Sequence, residues 1–173
     1  MKLKLAGVAV CAAAGLAVLY GQAPAPSAAA TLKRSYTGIK TNFVKAAEKM
    51  PEENYSFKPV DAVETFGQRV AHIADPQLAT CTGMMGERKT GTAKSKTSKA
   101  DLVAALKESF DACDKAVDAL TDANAMEAVS AGRGQQPRIA ALYGLVVHAN
   151  EVYGAMGVYM RIKGIVPPSS EGR

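Results

Sequence analysis

Histidine is scarce in this 173-residue chain, with only His72 and His148 present. No three-histidine site can therefore form within one copy, and a divalent metal would need its remaining ligands from other side chains. Charge of one sign is also in short supply. Without Lys2 and Lys4, which precede an apolar N-terminal run, 19 basic residues face 16 acidic ones. That balance is too mild for a nucleic-acid footprint. No stretch alternates apolar and polar residues as a half-buried strand would. The Gly132 and Gly134 pair lacks a preceding strand and a third glycine, which excludes a dinucleotide fingerprint.

What is present starts at the N-terminus. Lys2 and Lys4 lead into "LAGVAVCAAAGLAVLY" and then "GQAPAPSAAA". A basic start, an apolar run and a small-residue tail predict a secretory signal peptide over residues 1–30. Ala28-Ala29-Ala30 supplies the cleavage motif, with Thr31 as first mature residue. The run is short for a span of about 20 residues, and Pro24 and Pro26 would break a longer helix. An uncleaved anchor is the alternative. Cys11 follows Val10 rather than a small residue and does not resemble a lipoprotein cysteine. The expected location is periplasmic or secreted, with no integral membrane association after cleavage. Two cysteines remain, Cys81 and Cys113, in a compartment where disulfides persist. They fall on two helices that can lie antiparallel. A bond requires Cα atoms about 5.5–6 Å apart, and two free thiols are the other open state.

The remaining chain, of about 140 residues, suffices for one core. Tyr36, Ile39, Phe43, Ala46 and Met50 recur at helical spacing from Leu32 to Pro51. Tyr55 and Phe57, in the irregular "PEENYSFKPV", are expected to tuck onto the core. A second helix opens at Thr65, where Thr65 and Gln68 form a capping box, and carries Pro76 in its middle. A third starts after Ser98 and sets Leu102, Leu106, Phe110, Cys113, Val117 and Leu120 on one side. The polar "TDANAMEAVSAGRGQQ" reads as a connection. The fourth helix runs from Pro137 to Lys163 and is apolar nearly all round, so it is expected to be largely buried, with Gly144, Gly154 and Gly157 allowing neighbours close. The fold class is all-α, a four-helix bundle.

Within the fourth helix, "HANEVYG" places Val152 one turn from His148. The second helix supplies His72 in "VAHIAD". Together with "NFVKAAEKMPEENYSFKP", "FGQRVAHIAD", "ADLVAALKESFDACD" and "ALYGLVVHANEVYGAMGVYMRIKGIVPP", these stretches cover most of residues 32–168 and resemble the DinB-like superfamily of metal-binding four-helix proteins, which implies a single domain over residues 31–173. The resemblance implies a metal held by three histidines, one in the second helix and an H-x-x-x-H pair in the fourth. Here the positions are His72, His148 and Val152, so the third ligand is absent. Glu151 and Asp75, each three residues from a histidine, are the candidate substitutes. Tyr143, Tyr153 and Tyr159 are candidates to line a pocket beside the histidines, or to fill core with their hydroxyls at the surface.

Three functions follow as expectations. The first is an exported protein of unknown substrate, keeping the family pocket with a degenerate metal site. It has no cofactor or only a weakly bound divalent metal, zinc or nickel, and takes a small-molecule ligand. The second, implied by the resemblance, is a divalent-metal-dependent thiol transferase or hydrolase-like enzyme using His72 and His148 with a substitute carboxylate. The third is a module that adheres to anionic surfaces through Arg88, Lys89, Lys94, Lys96 and Lys99, residues otherwise read as a solvated loop. Oligomeric state stays open, a homodimer among the options.

Overall fold

The structure, a computed structural model, describes residues 25–132 and 134–172. Four helices make up the bundle: α1 (Ala28–Lys49), α2 (Phe66–Met84), α3 (Lys99–Asp118) and α4 (Arg138–Ile162). Most of the segment read as a leader lies outside the described residues. Helix α1 starts earlier than its apolar periodicity suggested. Ser27 caps it, its hydroxyl accepting the Ala30 N–H at 3.2 Å, and Asp122 Oδ1 accepts the Ala29 N–H at 3.0 Å. The expected first mature residue, Thr31, therefore falls inside the helix.

Helix α2 opens on the capping box: Gln68 N–H donates to Thr65 Oγ1 at 3.2 Å, and Thr65 N–H to Gln68 Oε1 at 2.7 Å. It continues through Pro76 to Met84. Helix α3 is capped by Ser98. The most extensive packing is α2 on α3, followed by α1 on α4. Phe43, Phe66, Phe110, Leu102, Leu106, Met156 and Met160 form the centre, and Phe43 and Phe110 meet with ring centroids 6.3 Å apart. Tyr55 is buried on this core and Phe57 packs at its edge. Buried Gln77 and Ser109 satisfy one another at 3.1 Å, and the Ser109 hydroxyl donates onward to the Leu106 carbonyl. Cys81 and Cys113 are fully buried and disulfide-bonded, with Cα atoms 4.9 Å apart, tying α2 to α3.

Two expectations are corrected. The connection after α3 contains an antiparallel hairpin, β1 (Ala128–Ala131) and β2 (Gly134–Pro137), with Val129 opposite Gln136. Val129 and Ala131 alternate inward, and Gly132 turns the chain at φ 60°. Four-residue strands are too short to show a sequence period. Helix α4 is also less buried than its composition suggested. Leu142, Val146, Val152, Met156 and Met160 face the core, while Tyr143, Val147, Val158 and Ile162 are exposed. Among the three glycines of α4, only Gly157 meets a neighbour, the side chains of Arg161 and Pro167; a Cβ at Gly144 or Gly154 would touch nothing. Among the described residues no helix is long and apolar enough to cross a membrane.

Candidate functional site

Helices α2 and α4 bring the two histidines together. The His72 and His148 rings stand 5.1 Å apart, centroid to centroid, at 51°. Both side chains are partly open to solvent, 38% and 39% exposed. Each Nδ1 faces a carboxylate, His72 towards Glu64 Oε1 at 3.4 Å and His148 towards Glu151 Oε2 at 3.7 Å. A carboxylate on one ring nitrogen orients an imidazole and leaves the other nitrogen free.

Glu64 and its supports do not show in the sequence pattern. The residue sits just ahead of the capped start of α2, two turns before His72. Its main-chain carbonyl accepts the Tyr159 hydroxyl at 2.9 Å, and its other carboxylate oxygen lies 3.5 Å from Arg69 Nε. The capping box places Glu64 outside the helix, but only the packing of α4 against this corner returns it to the histidine.

The other sequence candidates lie differently. Val152 is buried, 3% exposed, one turn from His148. Asp75 does not complete the pair. Its two carboxylate oxygens accept the Ala93 and Lys94 N–H groups at 2.7 and 3.0 Å, at the start of the 3-10 turn Ala93–Ser95. Those amides have no partner within so short a turn, and the carboxylate supplies one. Tyr153 fills core against Phe43; its hydroxyl donates to Ser169 Oγ and accepts the Ser169 N–H. Tyr143 lines a different feature, a groove of about 480 Å³ between the starts of α1 and α4. Of the five cations near the α2–α3 loop, Arg88 donates to the Gly132 carbonyl and Lys99 to the Glu48 carbonyl.

Whether a metal fits can be judged from these donors. Two imidazoles stand side by side, Val152 offers no donor atom, and Asp75 is committed to the loop. Among the described residues no group of three histidine, cysteine, aspartate or glutamate side chains is placed to hold an ion. The residues as they stand do not fit a three-ligand metal site.

Residues 36–152 match the profile of the DinB superfamily. The crystal structure of a DinB-like protein from Bacillus cereus ATCC 10987 is similar, with a TM-score of 0.65 and 20% identity, over 79% of this chain and 93% of that one. At that identity the likeness speaks for the fold. No curated protein matches the chain.

Proposed function

The chain belongs to the DinB superfamily, and from that premise we propose an exported member with a degenerate metal site, acting as a non-catalytic pocket protein that holds a divalent metal weakly or not at all. The observation that carries this reading is Val152. A buried isopropyl group stands where the family likeness asks for an imidazole, on the face that carries His148. Two neutral imidazoles alone form a poor divalent site, because affinity rises with the number of donors in fixed geometry. The surviving pair, facing Glu64 and Glu151 and partly open to solvent, supports retention of a polar patch at this position rather than its collapse into core. Export rests on the leader-like residues 1–30.

The test is elemental analysis of the protein recovered from cells that express it with its own leader and are supplied with zinc, nickel and manganese. After dialysis the expected content is well below one equivalent. A full equivalent overturns the reading.

One observation favours a second reading, Glu64 Oε1 at 3.4 Å from His72 Nδ1. Under it, the protein is a divalent-metal-dependent thiol transferase or hydrolase-like enzyme in which Glu64 or Glu151 rotates to complete a site with His72 and His148. Stoichiometric metal in the wild type, abolished by Glu64→Gln or Glu151→Gln, distinguishes this reading from the first.

A further inference from the structure

Among the described residues, five of the eight large exposed hydrophobic side chains belong to α4 or the segment just after it: Tyr143, Val147, Val158, Ile162 and Val166. From Ile139 to Met160 that helix carries one acid or base besides His148, namely Glu151. The exposed positions 140, 144, 147, 151, 154, 158 and 161 alternate steps of four and three, the seam spacing of paired helices. Gly144 and Gly154 lie on this seam. Inside a helix glycine is less favourable than alanine, and among the described residues no side chain approaches either position. Packing within the molecule gives these glycines no role.

The geometry points to a second copy of this chain as the partner of that face, with the two α4 helices antiparallel about a two-fold axis between Val152 and Tyr153. In that register six of the seven seam residues pair with one another, and Ala140 falls opposite Ile165, beyond the end of α4. Val147 meets Val158 of the second copy, Glu151 meets Gly154, and Gly144 lies opposite the stem of Arg161, whose guanidinium donates within its own chain to the Gly157 carbonyl and Ser170 Oγ. Tyr143 and Ile162 pair at the flanks. Such self-complementarity is what an isologous contact requires. It also keeps the two Glu151 side chains out of direct opposition. A parallel arrangement would instead stack Glu151 on Glu151 and leave each glycine facing glycine.

Area sets the strength. A 25-residue helix is about 37 Å long and, at a width of about 10–12 Å, presents on the order of 400 Å². A standard interface takes roughly 800 Å² per partner. The helix supplies about half, and the groove beside Tyr143, lined from α1 by Thr31, Leu32 and Ser35, widens the surface at each end.

Light scattering on the protein as the cell processes it, in a concentration series up to about 100 μM, reads the association directly. The expected mass rises to twice that of the monomer. The Val147→Glu/Val158→Glu double variant changes only exposed positions and should raise the dissociation constant at least about 100-fold, with an unchanged far-ultraviolet circular dichroism spectrum. Register is read separately by oxidative cross-linking. Val147→Cys/Val158→Cys should yield a covalent dimer, and Ala140→Cys/Val147→Cys, whose positions lie far apart across the axis, should not. A monomer throughout the series, a dimer that survives the glutamate pair while folded, or equal cross-linking of the two cysteine pairs overturns the assignment. If the glutamate variant fails to fold, the cysteine pairs decide alone.

Discussion

The side chains of His72 and Glu64 face one another, Nδ1 to Oε1 at 3.4 Å, across the capped start of α2. His148 and Glu151 repeat the arrangement on α4 at 3.7 Å. Two imidazoles thus each face a carboxylate on one side, with a valine where the family likeness places a third nitrogen. Val152→His should supply that nitrogen. The variant is expected to gain about one equivalent of zinc or nickel, leaving a position open for water. A larger side chain at a position 3% exposed costs about 1–3 kcal/mol of apo stability, and metal should offset the loss in proportion to its affinity. Elemental analysis and urea denaturation with and without metal check both parts. No gain of metal would show that the cavity is not preserved.

Joining Cys81 to Cys113, 32 positions apart, restricts the unfolded chain. On the chain-entropy account a loop of that size contributes about 3–4 kcal/mol. Cys81→Ala/Cys113→Ala should lower the free energy of unfolding by that amount in urea titrations. Thiol counting on non-reduced, denatured protein should find neither cysteine free.

A glycine and an aspartate hold the loop after α2. A Cβ at Gly91 would collide with the Asp75 carboxylate and its Cα. Gly91→Ala is therefore expected to destabilise by about 1–3 kcal/mol although it lies in a loop. Asp75→Asn weakens two amide contacts and should cost about 1–2 kcal/mol. Gly38→Ala in α1, where a Cβ meets nothing, should instead stabilise by about 0.5–1 kcal/mol. Thermal melts of the three variants side by side test the contrast.

The start of α1 makes leader processing measurable. Cleavage after Ala30 would remove the Ser27 cap, a loss of about 0.5–2 kcal/mol, and the Ala29 N–H that Asp122 accepts. The Ser27 hydroxyl first, and then that N–H, hold the Asp122 carboxyl below its usual range. A lowered carboxyl pKa stabilises the fold above the ordinary aspartate value, and the benefit fades as pH falls through the lowered one. A chain that keeps residues 25–30 should show this acid-side loss, and one that starts at Thr31 should not. Mass spectrometry of the N-terminus of protein recovered from cells that express it with its own leader-like segment, with denaturation at pH 7 and pH 3, distinguishes them.

Helices whose signals are local were legible. Thr65 and Gln68 satisfy each other across three residues, and Leu102, Leu106, Phe110, Cys113 and Val117 form one stripe because the helical repeat aligns them. The meeting of His72 with His148 was legible only through the family likeness. Glu64 was not legible: its place depends on Tyr159, 95 residues away, accepting no role in any local pattern. Asp75 shows the converse. Spacing put it one turn from His72, but unpaired amides at Ala93 and Lys94 draw it to the loop. In α4, apolar composition alone could not say which side meets the core and which meets water, since Val152 and Val158 are the same residue type on opposite sides.

The link between α2 and α3 also bears on proteolytic wear. Arg88, Lys89, Lys94 and Lys96 crowd the exposed stretch between Cys81 and Cys113, where a trypsin-like protease finds its preferred side chains. A cut at any of them opens the ring closed by the two sulfurs without releasing either half. Both pieces stay tethered at the centre of the core, where the cystine is fully buried. Such a nick adds one water to the mass and leaves the two pieces joined until a reductant separates them, so a cut in this loop does not by itself release either half of the bundle.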